Sequence, residues 1–219
     1  TTLFAGISHD LRTPITRMQL TLEMLPAGTD PELVAGLRRD LKEMTRIISD
    51  TLDLARGLGT HEPEDVDLRE FIDGIVTAQR SGGARIDWLP GNCCSCAVDT
   101  LALQRVLSNL IENGLRYGGS APLALRCHCS GTAAVIEVLD RGTGIPAAER
   151  EQLFQPFRRL DRSRSRHTGG SGLGLAIVRQ LCEVHDWQIR LLPRDGGGTR
   201  AELQIPLTPS DPAKPESGR

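Results

Sequence analysis

Apolar residues in the first fifty-six positions step by threes and fours. Phe4, Ile7, Leu11, Ile15, Met18, Leu22 and Leu25 form one such stripe, and Leu33, Leu37, Leu41, Met44, Ile48, Leu52 and Ala55 form a second. That is the spacing of one face of a helix, narrow enough to resemble a coiled-coil seam. Between the stripes, "PAGTDPE" (26–32) brings two prolines and a glycine. Asp30 is placed to cap the second helix, with Pro31 in its first turn. Two helices joined this closely fold as an antiparallel hairpin. A lone hairpin covers one side of each stripe, so a second copy is expected to complete a four-helix bundle, making the chain a homodimer.

After "GLGTHEPED" (57–65), which reads as a connection, the pattern turns to mixed helix and strand. Asp67, with Glu70 three residues on, predicts a capped helix running to about Gln79. Asp99 predicts the start of a strongly amphipathic helix burying Leu103, Val106, Leu107, Leu110 and Leu115. Strands are expected at "ARIDWLP", "PLALRCHC" (122–129), "AAVIEVLD" (133–140), "WQIRLLP" (187–193) and "TRAELQIPL" (199–207). Residues 141–172 show little periodicity and read as a mobile loop, and Ser171 is expected to open a last helix to about His185. The fold class is α+β: a helical hairpin over 1–57, a linker over 58–66, an α/β domain over 67–208 and a disordered, Pro-rich tail over 209–219.

Bulk properties narrow this picture only a little. The 219 residues carry a net charge of −2, which gives no general reason to bind nucleic acid, so any basic site must be local. Aromatic residues make up 3% of the chain, so its cores must be built from Leu, Ile, Val and Ala. No apolar run approaches the roughly 18–20 residues that span a bilayer, so this stretch of chain is expected not to cross one. With no secretory signal at its start, the six cysteines are expected to be free thiols in a reducing compartment. Cys94 with Cys96, and Cys127 with Cys129, could together hold zinc, though small buried apolar side chains is the simpler reading.

Several short motifs carry chemistry. Asn109 and Asn113 lie one helical turn apart, and their neutral amide oxygens suit a hard cation already balanced by phosphates, as Mg²⁺ is in nucleotide sites. An ordinary interior asparagine pair is the alternative. Arg116 and Tyr117 follow, within reach of a phosphate or able to cover a ligand. In "DRGTGIP" (140–146), Asp140 at a strand end can accept a hydrogen bond from an exocyclic amine, while Gly142 and Gly144 admit a flat ring close to the backbone. A simple turn would look the same. "GGSGLGLAIV" (169–178) leads glycines Gly170, Gly172 and Gly174, with Ser171 and Leu173 between them, into a helix start that can bind phosphate oxygens. The basic run "RRLDRSRSRH" (158–167), which includes Arg159, borders that loop and suits a triphosphate better than a plain solvated loop.

The order of these motifs resembles the two-component sensor histidine kinases over nearly the whole chain. "SHDLRTP" resembles the family's H-box, "NLIENGLRYG" its N-box, "DRGTGIP" and "GSGLGL" its glycine boxes, and "LFQPF" its F-box. The wording "SHDLRTPITR" and "FQPFRRLD" is similar to the EnvZ-like branch, which partners OmpR-like response regulators. The resemblance implies a dimerisation and phosphotransfer hairpin followed by a Bergerat-type α/β sandwich that binds ATP with Mg²⁺. It makes His9 the phosphorylated residue, Asp10 its acid/base partner and Thr13 the group that positions water to dephosphorylate a bound regulator. It assigns Asn109 and Asn113 to Mg²⁺, Asp140 to the adenine amine, the glycines to the nucleotide loops, and Phe154 and Phe157 to the packing of a lid. It also implies a full-length protein at the cytoplasmic side of a bacterial inner membrane.

Histidine suits a reversible phosphate carrier because its neutral ring is a nucleophile near neutral pH. Thr13, four residues on, shares His9's helical face. Pro14 removes a helical hydrogen bond to the Asp10 carbonyl, so the helix can bend there, and that bend is expected to switch kinase and phosphatase states, a tolerated kink being the alternative. Two rival readings remain. An ATP-hydrolysing relative of gyrase, Hsp90 and MutL would carry a glutamate one turn before the cation-binding asparagine, where this chain has Asn109. A non-catalytic dimeric scaffold would keep the hairpin without the chemistry.

Overall fold

The structure, a computed structural model, describes residues 15–26, 29–56, 60–160 and 172–207. His9, Asp10, Thr13, Pro14, Gly170, Ser171 and the 209–219 tail therefore lie outside the described residues. The rest divides into two compact units, one running to Thr60 and including Ala148–Leu181, the other comprising His61–Ala147 and the chain from Cys182 onward.

In the first unit, helix α1 (residues 15–23) and helix α2 (Pro31–Arg56) are the expected pair. Asp30 receives the Glu32 amide on Oδ1 at 2.9 Å, closing the N-terminus of α2. Ile15, Leu22 and Leu41 are buried against one another, with Val34 and Ile48 packed alongside. Met18, Leu25, Leu37 and Met44, from the same stripes, stay exposed. This unit also holds a short helix α5 (Ala147–Arg150, its first residue in the second unit) and a 3₁₀ turn (Gln152–Phe154). The stretch read as a mobile loop is thus partly ordered: Leu153 and Phe154 are buried, and the Arg179 guanidinium lies 4.2 Å from the Phe154 ring centroid while binding Glu151 at 2.6 Å.

The second unit begins with β1 (Glu64–Asp67), followed by α3 (Leu68–Ser81), β2 (Ile86–Pro90), β3 (Ser95–Val98), α4 (Thr100–Tyr117), β4 (Leu123–Cys129) and β5 (Ala133–Leu139). Helix α6 (Gly174–Val184) straddles the division, and β6 (Gln188–Pro193) and β7 (Thr199–Pro206) close the chain. The main sheet has the order β2-β4-β5-β7-β6, with β2 and β4 parallel and the other pairs antiparallel. Alternate residues fill its core: Leu123, Leu125 and Cys127, then Ala134, Ile136 and Val138, then Ala201, Leu203 and Ile205. Helix α4 packs on β4 and β5, and α3 on β2. The intervening residues carry charge instead. Arg200 reaches Glu137 at 3.2 Å and Arg190 reaches Glu202 at 2.6 Å across β5, β7 and β6.

Both capping aspartates do what their sequence positions suggest. Asp67 accepts the amides of Arg69 and Glu70, and Asp99 that of Ala102. Leu115 is half-buried, whereas the other four residues expected on the buried face of α4 are buried.

Three further features differ from the pattern-based expectation. Strands β1 and β3, which pair antiparallel with Val66 opposite Cys96, are only four residues long, too short to show a period of two. Helix α6 begins at Gly174, after the expected Ser171, because Gly172 sits at φ 71°, outside the helical region. Cys94 and Cys129 form a disulfide rather than free thiols, since the chain after β2 runs beside the end of β4 and brings their Cα atoms to 6.0 Å.

Candidate nucleotide site

Helix α4 ends against the turn that follows β5. A methyl group added at Gly142 would lie 2.2 Å from the Tyr117 carbonyl oxygen, so only glycine fits where that turn crosses the helix end. The contact sets the asparagine helix beside the Asp140 turn, two motifs that are twenty-three residues apart in sequence by the positions of Tyr117 and Asp140.

Asp140 is held by the backbone on both sides. Its Oδ1 accepts the Gly142 amide at 2.8 Å and the Thr199 amide at 3.0 Å, and its own N–H donates to the Thr199 carbonyl at 2.9 Å. The guanidinium of Arg194 donates to the Asp140 and Leu139 carbonyls at 2.9 and 3.2 Å. Gly198, at φ 102°, approaches so closely that a Cβ there would lie 2.2 Å from the Asp140 carbonyl oxygen. Thr199, Gly198 and Arg194 support the site but carry no motif of their own; only the registers of β5 with β7 and of β6 with β7, invisible in sequence, bring them to Asp140. Among the described residues, Oδ2 has no hydrogen-bond partner, so the carboxylate presents one fixed acceptor.

On α4, Asn109 and Asn113 are both half-buried. The Asn109 amide nitrogen donates to the Arg105 carbonyl at 3.0 Å, which leaves its Oδ1 as the acceptor available to a cation. Two neutral oxygen donors one turn apart fit Mg²⁺ carried in on phosphates better than they fit a soft metal. Arg116 is half-buried and Tyr117 half-exposed at the end of the same helix. Gly144, at φ 75°, continues the turn after Asp140.

The remaining described residues of the sequence-derived set lie in the first unit. Gly172 receives the Phe157 amide on its carbonyl at 2.9 Å, and a Cβ at Gly172 would come to 3.0 Å from the Phe157 Cα. Phe157 itself has φ 63°, rare for a bulky residue, and is 67% exposed, unlike the buried Phe154 with which it was grouped. Leu173 is fully buried, Gly174 starts α6, and Arg159 is half-buried.

Asp99 does more than cap α4. Its Oδ2 accepts the His61 amide at 2.8 Å, and the imidazoles of His61 and His185 each lie 3.6 Å from that oxygen. The His185 ring stacks on Trp187 with centroids 4.9 Å apart. Burial disfavours the carboxylate, but the Ala102 and His61 amides and the two imidazoles outweigh it and hold Asp99 below the usual carboxyl range. The residues it joins are separated by most of the domain's length, so the sequence offered no signal beyond the cap.

Residues 98–209 match the family described as histidine kinase-, DNA gyrase B-, and HSP90-like ATPase, and residues 1–59 match the His Kinase A (phospho-acceptor) domain. The chain is 36% identical over 205 residues to the sensor histidine kinase GtrS of Pseudomonas aeruginosa, covering 93% of this chain and 41% of that protein. It is 35% identical over 212 residues to the sensor protein RstB of Escherichia coli, covering 94% and 48%. The chain thus spans less than half the length of these curated relatives. Among solved structures, full-length ShkA in complex with AMPPNP shares the fold with a TM-score of 0.78 at 20% identity, over 95% of this chain and 46% of that one. The mycobacterial sensor histidine kinase MprB gives 0.57 at 27% identity, over 67% and 99%. Among the described residues, no helix is long and apolar enough to cross a membrane.

Proposed function

The chain belongs to the sensor histidine kinases, and from that premise we propose that it transfers the terminal phosphoryl group of ATP to His9 and then to an aspartate of an OmpR-like response regulator. The observation that carries this reading is the contact of the Asp140 turn with the end of α4. It sets a fixed carboxylate acceptor beside the helix of two neutral amide oxygens.

In this reading the Asp140 carboxylate accepts the adenine amine, and Gly142 and Gly144 leave room for the ring. Asn113 and Asn109 hold Mg²⁺, which when bound offsets phosphate charge. Arg116, Tyr117, Arg159 and the backbone of Gly170, Ser171, Gly172, Leu173 and Gly174 bind or cover the phosphates. The neutral imidazole of His9 attacks the terminal phosphorus, the bond to ADP breaks, and Asp10 stabilises the ring's positive charge until a proton is lost. Thr13 positions a water for dephosphorylating the bound regulator, so the same hairpin also serves as a phosphatase. Asn109 cannot act as a base, which disfavours simple hydrolysis and supports the kinase over the ATPase reading.

The hairpin acts as a homodimer. Met18 on α1, and Leu37 and Met44 seven residues apart on α2, are exposed in a single copy, as the seam of a four-helix bundle requires. The regulator docks near His9, and the parent protein sits at the cytoplasmic face of the inner membrane. A phosphotransfer profile against the host's purified regulators tests the partner: rapid transfer to one OmpR-like regulator supports this reading, and transfer to none contradicts it.

A further inference from the structure

Five of the six cysteines fall in two short segments, Cys93 to Cys96 and Cys127 to Cys129. Backbone hydrogen bonds bring the segments together. The Gly91 amide donates to the Cys127 carbonyl at 2.9 Å, the Cys129 amide to the Asn92 carbonyl at 3.0 Å, and the Asn92 side chain to the Cys129 carbonyl at 3.0 Å. Cys94 and Cys129, both half-buried, are disulfide-bonded. Cys93 is half-buried beside them, its thiol 3.6 Å from the Cys127 carbonyl oxygen.

The other two thiols are set apart by burial. Cys96 and Cys127 are buried, as is the remote Cys182. Burial, helped by the nearby Asp65, pushes Cys96 up to about 11, and burial with a side-chain hydrogen bond to Cys93 pushes Cys127 up as well. Only the thiolate is a nucleophile, so these two are inert near neutral pH. Of the three half-buried cysteines, Cys93, Cys94 and Cys129, the fold brings Cys94 and Cys129 into bonding distance.

We propose that Cys94 and Cys129 are a reversible redox site that exchanges with a low-molecular-weight thiol–disulfide couple of the glutathione type. In the oxidising direction, one protein thiolate attacks glutathione disulfide and releases one glutathione. The second thiolate then attacks the protein sulfur of the mixed disulfide and releases the other. Two protein thiols lose two electrons and two protons, and the disulfide reagent becomes two thiols. The bond joins residues 35 apart and encloses β3, α4 and β4, hence the helix that carries Asn109 and Asn113. The Cys94 carbonyl also accepts the Leu68 amide that starts α3, at 3.2 Å. Oxidation therefore braces the first half of the second unit, and reduction loosens it.

The test equilibrates the chain with glutathione buffers of graded ratio, starting from fully reduced and fully oxidised protein, and maps linked peptides by mass spectrometry. The expected result is a single Cys94–Cys129 linkage whose occupancy follows the ratio and is the same from both directions. The oxidised form should melt about 5–10 °C higher, and Cys182→Ser should change none of this. The proposal is overturned by a bond that excess reduced glutathione leaves intact, by thiols that excess glutathione disulfide never pairs, or by a linkage through Cys93 and Cys127 instead. Reduced protein that retains one zinc per chain with these thiols protected also overturns it, in favour of a metal site. Because these readouts use the unaltered chain, a Cys94→Ser variant that folds poorly does not decide the question.

Discussion

The carboxylate of Asp140 is fixed by the amide of Gly142 through one oxygen only, at 2.8 Å, with the Thr199 amide on the same atom. The second oxygen has no hydrogen-bond partner among the described residues, and its direction is set by the contacts of the first; in the proposed role it is the oxygen that accepts the ligand's amine. Preorganisation of this kind is what lets one carboxylate select an amine donor.

Asp140→Asn keeps an oxygen for Gly142 and Thr199 but presents an amide where the acceptor stood. Adenine-nucleotide affinity should fall about 10–100-fold, the loss of one hydrogen bond to a charged group. Thermal stability should change little. Calorimetric titration with ATP and a parallel melting curve check both halves.

Asn113→Ala removes a proposed cation-binding oxygen that has no protein partner among the described residues. Phosphoryl transfer should drop by at least about 100-fold, since charge stabilisation by a metal is worth several kcal/mol. The variant's melting temperature should stay near that of the parent. Rates measured across a Mg²⁺ series should show a raised Mg²⁺ requirement.

Asp99 makes the domain acid-sensitive. Its carboxyl is held below the usual range, so it stabilises the fold fully above the unfolded value of about 3.9, and that contribution is lost as pH falls through the lower folded value. Asp99→Ala should cost about 1–3 kcal/mol near neutral pH, from the lost cap and the orphaned His61 amide. In urea titrations from neutral pH down to about pH 3, the parent should lose more stability than the variant.

The exposed seam of the hairpin predicts association. Leu37→Asp with Met44→Asp should convert the dimer to a monomer by light scattering, because a charge at each seam position is costly to bury. Leu41→Ala, in the buried core, should instead lower stability by about 2–5 kcal/mol.

Much of this architecture is legible in the sequence. The helical stripes, the caps at Asp67 and Asp99 and the four longer main-sheet strands follow from periodicity and short-range chemistry. Strands β1 and β3 escaped because each has only four residues: Glu64–Asp67 holds a single apolar residue, and Ser95–Val98 is too short to establish an alternation. The supports of Asp140 escaped for a different reason. Gly198, Thr199 and Arg194 reach it only through the pairing of β5, β6 and β7, and register is a long-range property. The disulfide likewise depends on the parallel run of β2 beside β4, which no spacing within either cysteine pair reveals.

The central claim is that the phosphoryl group passes from ATP to His9. Incubating the chain and its His9→Ala variant with labelled ATP and Mg²⁺, then testing the label against acid and base, examines it directly. The account predicts acid-labile, base-stable label on the parent and none on the variant. Free phosphate without protein label, or equal labelling of His9→Ala, would contradict it.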